Sequence, residues 1–109
     1  MEIKWVTADL SVSPQITPDD MPAIRASGFR SIICNRPDGE SPEQPHFEDI
    51  RAAAEKMGLK VAYLPVIPGE VNDRDAYAFQ ATLSRLPGPT LAYCRSGARS
   101  ASLWSMAHT

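Results

Sequence analysis

The chain has 109 residues, a formal net charge of −2 at pH 7 and 43% hydrophobic residues. A chain of that length folds as one domain and buries roughly two-thirds of its unfolded surface, so it needs neither disulfides nor a metal to hold a core. The near-neutral charge, with no cluster of Lys and Arg, argues against a nucleic-acid surface, and no run approaches the roughly 20 apolar residues of a membrane span.

The opening "MEIKWVTADL" is charged and lacks the apolar core of a signal peptide. Two cysteines without an export signal are expected as reduced thiols, and the expected location is the cytoplasm. "KWVTADLSVS" carries short β-branched runs around Asp9 and predicts one or two strands. "ITPDDMPAIRASG" predicts a helix with Thr17 as cap and Pro18 at the first position. Its Met21 and Ile24 face inward and Gly28 closes it. "RSIICN" is short and apolar, a buried strand, and "RPDGE" after it is a turn signal. "PHFEDIRAAAEKMG" is the clearest helix, with Phe47, Ile50, Ala54 and Met57 at helical spacing and Gly58 closing it. "LKVAYLPV" predicts a second buried strand. "NDRDAYAFQATLSRL" predicts a helix capped by Asn72, with Tyr77, Phe79 and Leu83 among its apolar residues. "LPGPTLAYC" supplies a third buried strand and "RSASLWSMAHT" begins a last helix.

Strands alternating with helices of this length predict parallel crossovers and an α/β fold. The expectation is a layered sheet of about four to five mostly parallel strands flanked by helices, forming a single domain over residues 1–109. The last helix has only about three turns when the chain stops, which leaves room for a longer natural polypeptide.

The chemistry concentrates at "LAYCRSGARSA". Ligands of open parallel sheets bind beyond the carboxyl ends of the strands, and Cys94 is the first residue past such an end. The amides that follow curl toward a helix N-terminus, an arrangement that binds anions and lowers a thiol's pKa. Arg95 and Arg99 add positive charge, and Arg99 can grip an oxyanion with two parallel hydrogen bonds. Gly97 permits the tight turn, and the amides of Ser96, Gly97 and Ala98 complete the cradle. The Ser100 hydroxyl is placed to donate to the thiolate or to a leaving group. "NRPDGE" lies beyond another strand end, where Arg36 is a candidate contact for the substrate anion and Asp38 a candidate to orient an arginine. Cys34 reads as a buried structural thiol in preference to a resolving cysteine, and Trp104 as packing for the last helix. His46 and His108 lack metal-ligand spacing, so no metal site is expected.

The loop from Cys94 to Ser100 resembles the signature loops of cysteine-based phosphatases and of rhodanese-type sulfurtransferases. With "LSVSPQITPDD" and "ICNRPDGE", the whole chain is similar to a bacterial family of dual-specificity-phosphatase-like domains. That family occurs alone or as the N-terminal part of Blh-type, beta-lactamase-hydrolase-like proteins. The resemblance implies a phosphatase-like fold with the active loop between the last strand and the last helix. It also implies fusion to, or pairing with, a metallo-beta-lactamase-like enzyme.

Three departures favour sulfur over phosphorus. Phosphatases of this type carry five residues between cysteine and arginine, whereas four separate Cys94 from Arg99. They also carry His before the cysteine, where this chain has Tyr93, and an Asp as general acid in the region matching "LPVIPGEV", where the nearest carboxylates are Glu70 and Asp73. The leading expectation is therefore a sulfurtransferase. Cys94 would take sulfur from an anionic donor such as thiosulfate, with sulfite leaving, and pass it from the persulfide to a thiol acceptor, with no metal or organic cofactor. The alternative is a phosphatase using Cys94 as phosphoryl-accepting nucleophile, with Glu70 as a substitute acid. A third reading is a non-catalytic anion- or partner-binding domain.

Overall fold

A computed structural model describes residues 2–108. A single mixed sheet is built from β1 (Lys4–Thr7), β2 (Leu10–Ser13), β3 (Ser31–Cys34), β4 (Lys60–Tyr63) and β5 (Thr90–Tyr93). Their order is β1-β2-β5-β3-β4, with β1 antiparallel to β2 and every other pairing parallel. The helices are α1 (Met21–Ala26), α2 (Phe47–Lys56), α3 (Asp73–Arg85) and α4 (Ala98–Ala107), and a 3-10 turn at Pro18–Asp20 leads into α1.

Side-chain alternation along the strands divides the core in two. On one face Leu91, Tyr93, Ile32 and Cys34 pack with Met21 and Ile24 of α1 and Ile50 and Ala54 of α2. On the other, Ala92, Ile33, Leu10 and Val12 pack with Ala76 and Phe79 of α3 and Leu103 of α4. β2, β5 and β3 are buried at every position, as strands covered on both faces must be. β4 differs from the expected buried strand. It is the sheet edge, paired only to β3, and its residues are half-buried or exposed. Tyr77 also departs from expectation, since it is 77% exposed. Ala76 and Phe79 hold the inner face of α3, and one further step round a 3.6-residue turn carries Tyr77 outward.

The caps fit their residue types. Asn72 accepts from the Asp75 amide at the start of α3 at 3.0 Å. The flanking His46 makes no side-chain cap on α2. Instead Asp38, nine residues upstream in the β3–α2 connection, accepts from the Phe47 amide at 2.8 Å. At the far end of the chain, Trp104 is half-buried and stacks on His108 with ring centroids 4.2 Å apart. Among the described residues no helix is long and apolar enough to cross a membrane.

The feature that positions the site is register. Ser13, Tyr93, Cys34 and Tyr63 are paired across β2, β5, β3 and β4, so four parallel strands end at one level. The loops after them therefore converge above β5.

Candidate active site

β5 delivers Cys94 into this convergence with 0% exposure. Gly97 is the cap residue of α4 and adopts φ +95°, a conformation that costs a side-chain-bearing residue steric strain. A Cβ there would also meet the Ser13 backbone carbonyl at 3.3 Å. The turn so made aims the Gly97 amide at Cys94 Sγ, at 3.0 Å. Burial acts to raise the Cys94 pKa, yet hydrogen bonds from the amides of Ser100, Arg99, Ser96 and Gly97 outweigh it and leave the thiol below its ordinary value. The Ala98 amide takes no part, because it donates to Ser96 Oγ at 3.2 Å. The Gln15 amide, after β2, donates to the Arg95 carbonyl at 3.2 Å and ties the loop to its neighbour.

Arg99 is 9% exposed and held by a carboxylate the sequence did not single out. Its Nη1 donates to Glu40 Oε2 at 2.7 Å and to the Val66 carbonyl at 2.9 Å, and its Nη2 to Glu40 Oε1 at 2.9 Å. Three of the five guanidinium N–H groups are thereby engaged, leaving Nε–H and one Nη2–H on a shared edge. The guanidinium and the Cys94 sulfur also interact, which favours the charged form of the arginine. Arg36 lies behind this pair at 4% exposure. It donates to Glu40 at 3.0 Å, to Gln15 Oε1 at 3.0 Å and to Ser41 Oγ at 3.5 Å. Arg36 is thus a buried strut for Glu40, not a surface for an anion. The hydrogen bonds from Arg99, reinforced by those from Arg36, hold the Glu40 carboxyl below the usual range.

Two other expectations change in the same region. The carboxylate that orients arginines is Glu40, whereas Asp38 serves α2 and its own amide donates to the Tyr63 phenol at 3.1 Å. The Ser100 hydroxyl turns away from the thiol and donates to Asn35 Oδ1 at 2.8 Å; only the Ser100 amide reaches Cys94. Asn35 is wholly buried, and both ends of its side-chain amide are hydrogen-bonded. Its Nδ2 donates to the Leu64 carbonyl at 2.9 Å, its amide to the Tyr93 carbonyl at 2.8 Å, and its carbonyl accepts from Val66 at 3.0 Å. It joins the ends of β5 and β4 to the first turn of α4.

Cys34 and Tyr93 belong to the α1/α2 side of the sheet. Burial pushes both the Cys34 thiol and the Tyr93 phenol up, and the two side chains hydrogen-bond each other. Cys34 Sγ also donates to the Arg36 carbonyl at 3.3 Å. Its chemistry is the opposite of that at Cys94. Beyond the loop opens a cleft of about 700 Å³, walled by Arg95, Ser96, Ala98 and Arg99, by Ser102, Ser105 and Met106 along α4, and by Pro68, Gly69 and Val71 of the β4–α3 loop. Glu70, exposed on that loop, is not part of the wall. Among the described residues no group of three or more His, Cys, Asp or Glu could hold a metal ion.

Of the residues singled out from sequence, Arg95, Ser96, Ala98 and Arg99 wall the cleft, while Cys94 is buried within the same loop and Gly97 lies against the Ser13 backbone. The structure places Arg36, Asp38 and the Ser100 hydroxyl behind the cleft. Glu40, Asn35 and Gln15 are the additions. Glu40 lay within "NRPDGE", but nothing local distinguishes it from Asp38; the partnership with Arg99 spans 59 positions.

A parallel sheet that presents a cysteine to the amides of a following helix, beside a clamped arginine, defines a phosphatase-like α/β domain. The chain belongs to the family described as beta-lactamase hydrolase-like protein, phosphatase-like domain, whose model matches residues 2–109. It is 36% identical over 106 residues to the beta-lactamase hydrolase-like protein of Xylella fastidiosa, covering 97% of this chain but only 25% of that relative. The chain therefore spans about a quarter of the length of the curated relatives it matches. Among solved structures, a candidate phosphatase of Neisseria meningitidis superposes with a TM-score of 0.90 at 36% identity, over 95% of this chain and 74% of that one. TpbA of P. aeruginosa, solved in complex with pTyr, superposes at 0.67 with 16% identity, over 87% of this chain and 54% of that one, a likeness of fold alone.

Proposed function

We propose that this domain is a cysteine-dependent phosphatase, with Cys94 as the nucleophile that accepts the phosphoryl group. The observation that carries the reading is the loop that aims the Gly97 amide at the Cys94 sulfur at 3.0 Å, joined there by the amides of Ser96, Arg99 and Ser100 and by the Arg99 guanidinium. The amides and the Arg99 edge hold the phosphoryl oxygens, and Glu40 fixes the plane of the guanidinium. The Cys94 thiolate attacks phosphorus, the P–O bond to the leaving group breaks with its electron pair on oxygen, and a phosphocysteine forms. Water then cleaves the P–S bond, returning the thiolate and releasing phosphate, with the water's proton passing to solvent. Membership of a phosphatase-like family supports this over sulfur transfer. The test is hydrolysis of p-nitrophenyl phosphate by the wild type and by Cys94→Ser, with vanadate as inhibitor. Turnover that survives Cys94→Ser refutes the reading.

One observation favours sulfur transfer as a second reading: the six-residue loop from Cys94 to Arg99, beside a cleft without a carboxylate. Thiosulfate would then leave one sulfur on Cys94, seen as an adduct in an intact mass and discharged by cyanide. The name of the Xylella relative supports a further proposal, that the domain works fused to or beside a hydrolase-like partner enzyme.

A further inference from the structure

Breaking a P–O bond in an ordinary alkyl ester leaves a strongly basic alkoxide. An enzyme normally protonates that oxygen as it departs, a general-acid contribution of about 10²- to 10⁴-fold. The cleft beside the Cys94 loop, walled by Arg95, Ser96, Ala98 and Arg99, offers no group for the task. Its walls carry two arginines, three serines and otherwise only glycine and apolar residues, with no carboxyl, imidazole or phenol.

Of the carboxylates near the cleft, Glu40 is committed to the arginines and the others stand outside its walls; Glu2 lines a separate hollow that shares Ser96 and Ala98 with it. Glu40 lies between Arg99 and Arg36, takes three of their N–H bonds, and is held in its ionised form as their counter-charge. Pro68, Gly69 and Val71 wall the cleft while Glu70 between them stays exposed outside it. The turn that sets this outward position is pinned: the Glu70 amide donates to the Ile67 carbonyl at 3.0 Å, and the Glu70 carbonyl accepts from Asn72 Nδ2 at 3.4 Å. Asn72 is itself fixed as the cap of α3. Asp73 is exposed in the first turn of that helix, and Asp75 lies beside Tyr63 and Leu64 in a separate hollow.

Resting on the phosphatase reading, we infer that the substrate is an activated phosphoryl donor, a phosphoanhydride or acyl phosphate, whose leaving group departs as a stable anion without a proton from the protein. The phosphate released from an anhydride has a second pKa of about 6, against about 10 for a tyrosine phenol. Anhydrides and acyl phosphates thus need no acid, aryl esters of tyrosine would be slow, and alkyl esters such as phosphoserine would be slowest. The loop amides and Arg99 still do the binding and stabilise the transferring group.

The test is a series of aryl phosphates running from dinitrophenyl to phenyl phosphate, with acetyl phosphate as the acyl donor, on the wild type and on Cys94→Ser. The value of kcat/KM reports steps only through P–O cleavage, so slow phosphocysteine hydrolysis does not mask the trend. The expected result is a Cys94-dependent kcat/KM that falls about 10²- to 10⁴-fold toward phenyl phosphate, the factor an acid would otherwise restore. Acetyl phosphate should turn over near the fast end. A flat series overturns the inference while leaving the phosphatase reading intact. So does Glu70→Gln slowing phenyl phosphate but sparing dinitrophenyl phosphate, because that marks Glu70 as an acid brought in by loop movement. Absence of any Cys94-dependent hydrolysis, even of dinitrophenyl phosphate, overturns the phosphatase reading itself.

Discussion

Asn35 is far from the solvent and touches no substrate, yet its removal should be felt at the Cys94 thiol. Asn35→Ala deprives the Leu64 carbonyl and the Ser100 hydroxyl of their partners. Ser100 provides one of the four amides that favour the thiolate. A hydrogen bond to a charged group is worth about 1.5–3 kcal/mol, and one pKa unit corresponds to about 1.4 kcal/mol. Complete loss of that amide would therefore raise the Cys94 pKa by about 1–2 units. The assay is the rate of alkylation by iodoacetamide across pH, whose midpoint reports the thiolate. The orphaned groups also lower stability by about 1–3 kcal/mol each, so melting is followed in parallel and alkylation is read where the variant is folded. Ser100→Ala keeps the amide but frees the first turn of α4 from Asn35, and should shift the midpoint the same way by less. That variant carries the test if Asn35→Ala does not fold. A folded Asn35→Ala with an unmoved midpoint would refute the coupling.

Glu40→Gln leaves Arg99 and Arg36 with one carbonyl oxygen in place of a carboxylate, and Cys94-dependent turnover should fall by about 10- to 10²-fold, mostly in kcat, as expected for one misdirected charge-assisted bond. Unchanged kinetics would count against the clamp. Gly97→Ala places a Cβ at φ +95° and 3.3 Å from Ser13, and should cost about 1–3 kcal/mol by urea denaturation. A stability equal to wild type would mean the loop relaxes freely. Because the Cys94 pKa is depressed on folding, the unfolded chain binds the extra proton between the folded and the ordinary value. Stability of the wild type relative to Cys94→Ser should rise with pH through that window and level off above about 8.5. A pH-independent difference would contradict the depressed thiol. Burial raises Cys34, so native-state alkylation at neutral pH should label Cys94 alone, and both cysteines only after denaturation.

What the sequence revealed and what it hid follow from the range of the interactions involved. The signals of β5, the Gly97 turn and the start of α4 all lie within a few residues of Cys94, so the cradle could be read locally. The same holds for Asn72 and for the closing glycines. The clamp could not be read this way, because Asp38 and Glu40 are equivalent by position and only the approach of Arg99 across the sheet separates them. The Ser100 hydroxyl is illegible locally for a similar reason: its partner, Asn35, lies just past the end of β3, 65 positions away. Tyr77 and β4 show the limits of hydrophobicity as a guide to burial. A phenol can lie on an outer helical face, and an apolar strand can be an edge.

The connection from Pro37 to His46 has a consequence for how this protein can be altered. Gln44 bridges its two ends of use, donating to the Pro37 carbonyl at 2.8 Å and accepting from the Glu40 amide at 3.0 Å. The same ten residues thus start α2 through Asp38 and hold the reactive arginine through Glu40. A thermostabilising screen and a screen for altered activity would draw on the same positions here, and gains in one would be paid in the other. Exchanging the segment as a whole between relatives should succeed more often than changing it one residue at a time, since only the intact unit carries both tasks across.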